Sequence, residues 1–342
     1  MRTYKKLSLT TLLSLVLLTL GCQDIVDEFV GKKPEDAKTI DITMIAKSSS
    51  NPVFLSALAG AENAAKDLTE KYSSIEVHIN WRTPMKEDAE GQAQRIRNAV
   101  NDGTDAIIIS CSDDSILTAA IDNAVDRGVP VMTFDSDAPN SKRFAFYGPN
   151  DVEIGENVMK ELITLMGEEG QVAILAGSKN APNIQKRVEG AKKFAAKYPG
   201  IEIVGEFYHF ETAEAAAAEV IRVNNEYPEL KGWAMVGGWA LFSDVLMDKI
   251  DPQKMKIVAV DALPVQLPYV EKGIVTVLLA QPTFKLGKIA VEKVIDKLHL
   301  DEEVDEINTM KLIRVWDENI GGWARQLRAW GYEDIPVRYH TM

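Results

Sequence analysis

The sequence predicts an α/β protein of two lobes, each a doubly wound parallel sheet, facing one another across a cleft. Three observations lead there. From Ile40 onward short apolar runs alternate with longer amphipathic ones, the pattern of βαβ units, in which every parallel connection needs a crossover. The strand candidates number eleven, too many for one compact sheet of ordinary size and a poor match to the eight units of a (β/α)8 barrel. Finally, Phe144–Tyr147 follows another strand with no room for a helix and runs into Gly148-Pro149-Asn150, where the chain is expected to leave one sheet for the other. A length of 342 residues suits about two such bodies.

The elements follow in order. Arg2, Lys5 and Lys6 precede an apolar run from Leu7 to Leu20, too short for a membrane span of ~20 residues but right for the core of an export signal. It ends in Thr19-Leu20-Gly21-Cys22, which resembles the lipidation signal of bacterial lipoproteins; the departure is Thr19, where that signal usually has Leu. Cys22 is then the lipidated N-terminus, against the alternative of a plain secretory signal. Residues 1–21 leave the fold on either reading and take the formal charge from −13 to −16, since three positive charges go and no acid does. Residues 22–37, with Asp24, Asp27, Glu28, Lys32, Lys33, Pro34 and Glu35, read as a polar tether.

Strands are expected at Ile40–Ile45, Ile75–Asn80, Ala106–Ser110, Val129–Phe134, Phe144–Tyr147, Gln171–Ala176, Ile201–Tyr208, Gly232–Val236, Met255–Val260, Val275–Ala280 and Met310–Val315. Helices are expected at Val53–Lys71, Asp88–Asn101, Ser115–Arg127, Glu153–Met166, Ile184–Lys197, Thr212–Glu226, Ala240–Lys249 and Phe284–Leu298. Ser115–Arg127 shows the basis: Ile116, Leu117, Ala120, Ile121, Ala124 and Val125 recur at three-to-four spacing, with Asp122 and Asp126 elsewhere. Trp316, Trp323 and Trp330, seven apart, share one face if that segment is helical.

Composition removes several function classes. With 38 Lys plus Arg against 51 Asp plus Glu, the chain lacks the basic surface that nucleic-acid binding needs. Two cysteines cannot staple a scaffold, and four scattered histidines offer no zinc spacing; Cys111 reads as a small semi-buried residue after a strand. There is no phosphate-binding loop, dinucleotide fingerprint, nucleophile elbow or H-E-x-x-H. The adjacent acids Asp113-Asp114 are weak grounds for acid–base catalysis, so no enzyme and no cofactor is expected.

Ligands of open α/β sheets lie beyond the carboxyl ends of the strands. Those ends carry Lys47 to Phe54 with Asn51, then Trp81 and Arg82, Ser110 with Ser112 and Asp113, Asp135 to Asp137, Ser178 and Asn180, Phe210, Gly237-Gly238-Trp239, Asp261 and Gln281. Hydrogen-bonding groups mixed with aromatics suit a neutral polyol, whose hydroxyls need both donors and acceptors while its C–H face packs on a ring. A second reading stands beside each. Ser50, Asn51, Ser112 and Asp113 are equally good helix caps, and Phe54 and Phe210 equally good core residues. Trp239, bulky after two glycines, reads as ligand-facing or packed. Asp135 and Asp261 each end a strongly apolar strand, which capping explains less well.

An ordered set of segments resembles the sugar-specific periplasmic binding proteins, the ribose-binding branch of the pentose and hexose ABC-transporter receptors. They are Ser50-Asn51-Pro52-Val53-Phe54, Asp105 to Ser110, Gly128 to Asp135, Arg187-Val188-Glu189-Gly190, Ile257 to Asp261 and Ala280-Gln281-Pro282, spanning residues 40 to 300. The resemblance implies a three-crossover hinge near 148–150, 281–282 and 308–311. The first lobe is then 38–149 plus 282–309, and the second 150–281 plus 310–342, ending in a C-terminal extension packed on the second lobe. It implies that Asn51, Asp135, Arg187, Asp261 and Gln281 bind hydroxyls while Phe54 and Phe210 cover the two ring faces. Carboxylates accept from hydroxyls and the Arg fork donates to them. It also implies an extracytoplasmic monomer in the periplasm or cell envelope, with an ABC permease as partner and a monosaccharide or polyol as ligand. A lipoprotein that reports its ligand to a chemoreceptor or sensor kinase would use the same cleft. The family's ribose receptors have Ser at Lys47, Asn at Ser110, Arg at Ser136 and an Asn-Asp pair at Gly238-Trp239. Lys47, Arg82 and Trp239 therefore point to another ring, larger than ribose or acidic. A lactose-repressor-type regulator shares the core but needs a helix-turn-helix where this chain has its signal.

Overall fold

The computed structural model describes residues 37–332 and 334–340. The export signal, Cys22 and all but the last residue of the tether lie outside the described residues. The chain runs β1 (Lys38–Ile45), α1 (Pro52–Lys71), β2 (Ile75–Trp81), α2 (Ala89–Asn101), β3 (Ala106–Ile109), α3 (Asp114–Asp126), β4 (Val131–Phe134), β5 (Ala145–Pro149) and α4 (Asp151–Met166). It continues through β6 (Gly170–Ala176), α5 (Pro182–Ala195), β7 (Ile201–Tyr208), α6 (Ala213–Glu226), β8 (Leu230–Met235), β9 (Lys256–Val260), α7 (Leu267–Glu271) and β10 (Val277–Ala280). Last come α8 (Thr283–Leu298), β11 (Ile307–Met310), β12 (Ile313–Val315) and α9 (Ile320–Ala329).

The strands form two six-stranded sheets, ordered β11-β5-β4-β3-β1-β2 and β12-β10-β9-β8-β6-β7. Every pairing is parallel except β12 against β10. Two doubly wound parallel-sheet lobes are therefore what the chain builds. Strands such as β3 (AIII) and β4 (VMTF) are buried throughout, because helices cover both faces. On one face of the first sheet α1 and α8 bury Phe54, Ala57, Ala61, Leu286 and Ala290; on the other, Ile96, Leu117 and Ile121 pack beneath α2 and α3. The chain passes between the sheets three times: after β5, between β10 and α8, and between β11 and β12.

One close approach positions a site residue. A Cβ at Gly155 would stand 1.8 Å from the Arg187 carbonyl oxygen, and one at Gly190 would stand 2.0 Å from that of Val152. Glycine at both places lets α4 and α5 touch backbone to backbone, which carries Arg187 to the sheet edge.

Three expectations change. Ala240–Lys249 is not a helix: a single 3-10 turn, Trp239–Leu241, gives way to turns. The Ser243 carbonyl accepts from the Tyr269 hydroxyl at 2.6 Å, and Met247 N–H donates to Asp244 instead. The run Met310–Val315 is two strands in different sheets, broken at Lys311-Leu312. The C-terminal extension also reaches beyond the second lobe. Trp323 donates its indole N–H to the Ala262 carbonyl at 2.7 Å, but Trp330 stacks on Phe284 of α8 with ring centroids 5.7 Å apart. Trp316 leaves the shared face, since it precedes α9 and lies under the Arg314 guanidinium.

Candidate functional site

Asp135 and Asp261 follow β4 and β9, the third strand from the leading edge of each sheet. Both take left-handed backbone, φ 59° and 69°, and both are buried. Asp tolerates that region better than most residues, yet it is a strained choice, and strain kept at a buried strand end marks a site. Asp135 N–H donates to the Tyr147 carbonyl and Asp261 N–H to that of Leu279, each at 3.0 Å, so the adjacent strand fixes each turn. The two carboxylates meet across one small cavity of about 30 Å³, whose walls include Lys47, Asn51 and Phe54 from the first lobe and Asn183, Arg187 and Trp239 from the second.

Hydrogen bonds set what each group can offer a ligand. Ser110 Oγ donates to Asp135 Oδ2 at 2.8 Å, so Ser110 stands behind the carboxylate rather than at the ligand. Arg187 is buried and donates Nε–H to Asp151 (2.8 Å), Nη1–H to the Val236 carbonyl (3.1 Å) and Nη2–H to Gln281 Oε1 (3.3 Å). Gln281 in turn donates to Asp261 Oδ1 at 2.7 Å. Burial raises the Asp261 carboxyl, with Arg187 and Gln281 opposing, and pushes Asp151 up to about 6 despite the Arg187 guanidinium. Asn51 Oδ1 accepts from Val53 N–H at 3.0 Å, so Asn51 caps α1 and keeps its NH2 as the donor for a ligand.

Lys47 closes the floor from the first lobe, its Nζ 3.2 Å from Asn183 Oδ1 and 3.7 Å from Glu87. Burial alone would lower its pKa, but the carboxylates of Glu87, Glu211 and Asp135 outweigh burial and hold the ammonium charged. Burial pushes Glu87 up to about 7, with Lys47 opposing and the hydrogen-bonded Glu211 carboxyl reinforcing. Three carboxylates, Asp135, Glu211 and Asp261, line the cavity against two cations. Lys47 is already paired with Asn183 and Glu87, so the charge facing the cavity is negative on balance.

Aromatic placement departs from expectation. Phe54 is buried and lines the cavity. Phe210 does not reach it: 86% exposed, it stands in the wall of an outer chamber. Trp239 supplies the second lobe's ring instead. Its bulk fits only beside glycines, since a Cβ at Gly237 would meet the indole at 1.8 Å and one at Gly177 at 2.8 Å. Trp81 packs against the first lobe's core, and Arg82 pairs with Asp102; neither lines the cleft. Both follow β2, the edge strand, at the opposite end of the sheet from β5 and β11, where the chain crosses to the partner lobe. Asn183, Glu87, Glu211 and Asp151 were missed by sequence reasoning. Each adjoins a helix start, where an acid or amide reads as a cap or dipole partner.

Residues 42–301 match a family model described as "periplasmic binding protein domain". The chain belongs to that family. The ribose import binding protein of Bacillus subtilis is 27% identical over 194 residues, and the D-ribose/D-allose-binding protein of Pseudomonas aeruginosa is 27% identical over 203. Each match covers 56% of this chain and 60% of the relative, so the chain spans under two thirds of the curated relatives it matches. An ABC transporter solute-binding protein from Burkholderia graminis, solved in complex with D-arabinose, superposes with a TM-score of 0.77 at 26% identity, covering 84% of this chain and 98% of that one.

Proposed function

We propose that this chain is the substrate-binding component of an ABC sugar importer, capturing a monosaccharide or related polyol between its lobes without transforming it. The observation that carries the reading is the facing pair Asp135 and Asp261, two buried carboxylates on strained backbone at equivalent strand ends of opposite lobes. Flanked by the donors Asn51 and Arg187 and the rings Phe54 and Trp239, they suit hydroxyls in all directions and C–H faces above and below. The inner cavity has room for about one or two waters, well short of a sugar ring, so a ligand enters as the lobes part and is held as they close. Residues 38–149 plus 282–309 form one moving body and 150–281 plus 310–342 the other, bridged where Trp330 stacks on Phe284. Export by the N-terminal signal and a lipid on Cys22 would tether the receptor outside the cytoplasm beside its permease.

The neighbour solved with D-arabinose and the relatives named for ribose and allose support a neutral sugar. The surplus of carboxylates in the cleft supports the same choice against sugar acids. A thermal-shift screen over pentoses, hexoses, polyols and sugar acids tests it, because a ligand that binds only the native state raises Tm. A neutral sugar or polyol should stabilise the protein. Stabilisation by sugar acids alone, or chemical conversion of the ligand by pure protein, would overturn the proposal.

A further inference from the structure

The cleft widens outward. Beyond the 30 Å³ inner cavity lies a chamber of about 1080 Å³, walled by Ser48, Ser50 and Glu87 on one side and by Ser178, His209 and Phe210 on the other. A chamber of this size exceeds what one sugar ring fills and falls at the upper end of small-ligand sites. Three groups at or beside its second-lobe wall, the Phe210 ring, the His209 imidazole and the indole N–H of Trp239, have no role in the stacking of a single ring between Phe54 and Trp239.

Phe210 presents 86% of its surface, although large apolar side chains are ordinarily covered. His209 Nδ1 lies 2.8 Å from the Phe210 carbonyl oxygen; a carbonyl only accepts, so Nδ1 carries the proton and Nε2 is an acceptor. That Nε2 is buried with no hydrogen-bond partner among the described residues. Burial lowers the imidazole's pKa, which keeps this neutral tautomer at neutral pH. Trp239 Nε1–H is likewise buried and unpartnered. The two rings meet edge to face, centroids 5.5 Å apart, at the junction between inner cavity and chamber. Buried donors and acceptors left unmade are costly and call for a partner. A ligand hydroxyl can accept from Trp239 or donate to His209, supplying the partner each lacks.

We propose that Trp239, His209 and Phe210 form a second sugar subsite, and that the cognate ligand is a glycoside whose inner ring lies between the carboxylates while its outer ring stacks on Phe210. The assignment rests on the sugar-binding reading and names the ligand class within it. A second ring adds stacking on Phe210 and hydrogen bonds to the unpartnered nitrogens of His209 and Trp239, contacts that lie at the junction with the inner cavity or beyond it. Lys179 and Tyr208, joined by a cation–π contact with Nζ 5.6 Å from the ring centre, line the same chamber and give the outer ring a polar rim.

Titration calorimetry on matched probes tests this: D-xylose against xylobiose, D-glucose against cellobiose, and D-galactose against lactose. At least one disaccharide should bind ten-fold or more tightly than its parent sugar. Phe210→Ala and His209→Leu should then bring that disaccharide down to the parent's affinity and leave the parent within two-fold, because neither residue lines the inner cavity. His209→Gln, which restores an acceptor, should recover part of the loss. Monosaccharides that bind while every disaccharide binds more weakly would overturn the subsite and leave the sugar reading standing. An equal loss for both ligands in Phe210→Ala would overturn it as well. If neither class of probe binds, the sugar reading falls and takes the subsite with it.

Discussion

Replacing Asp135 by Asn removes one negative charge from the cleft and changes almost nothing else. The two side chains have the same size, and Asn tolerates left-handed backbone as well as Asp does, so φ 59° is no obstacle. Ser110 donates to Oδ2 at 2.8 Å, and an amide turned with its oxygen toward Ser110 keeps that bond. The NH2 then replaces the other carboxylate oxygen, the one left for a ligand hydroxyl. A hydrogen bond to a charged group contributes about 1.5–3 kcal/mol, so the loss is about one to two decades in Kd. Titration calorimetry with the sugar found by thermal shift reads the affinity, and a melting curve reads the fold. Affinity should fall 10- to 100-fold with Tm nearly unchanged. Unchanged affinity, or a lower Tm with affinity intact, would refute the reasoning. Asp261→Asn is the instructive contrast. Its carboxylate accepts from Gln281 at 2.7 Å and from the Gly238 backbone N–H, so an NH2 there faces a donor whichever way it turns, and stability should fall along with affinity.

Closure should depend on pH through Glu87. Its pKa, raised by burial to about 7 from 4.5 beside Lys47 and Glu211, means that the closed, folded arrangement binds the proton. That contribution is full below about pH 4.5 and is lost as pH rises through 7, so stability and ligand affinity should decline over that window and Glu87→Gln should flatten the decline. Trp330→Ala removes the stack on Phe284 and the edge contact with Trp323, 5.6 Å between centroids. Each aromatic pair contributes about 0.5–1.5 kcal/mol beyond its area, so Tm should drop and small-angle scattering should report a wider range of lobe separations. Cys22→Ser should move the protein from the membrane to the soluble fraction on cell fractionation; unchanged partitioning would exclude a lipid at that position.

The sheets were legible because their central strands are apolar on both faces, so β3 and β4 stand out wherever they end. Asp135 and Asp261 were legible for the same reason, since an acid closing such a strand has few structural excuses. The aromatic pair was not. Phe210 and Trp239 both follow strands of the second sheet, and which one turns inward depends on Gly177 and Gly237 yielding their Cβ space to the indole. Lys47 was found but its partners were not, because Asn183 comes from the first turn of α5 and Glu87 from the loop before α2, each separated from it by a long stretch of chain. Trp81 and Arg82 looked like site residues by local position alone. Strand order, which no local pattern records, sends their strand to the sheet's edge. Ala240–Lys249 carried a helical pattern that Tyr269, more than twenty residues later, competes away at Ser243.

A crystal structure of the protein with the sugar identified by thermal shift tests the central claim most directly. The ring should lie between Phe54 and Trp239, with hydroxyls donating to both Asp135 and Asp261 and the Lys47–Asn183 contact displaced or rearranged around it. A sugar bound anywhere outside the space between the two sheets, or one touching a single lobe, would contradict the account.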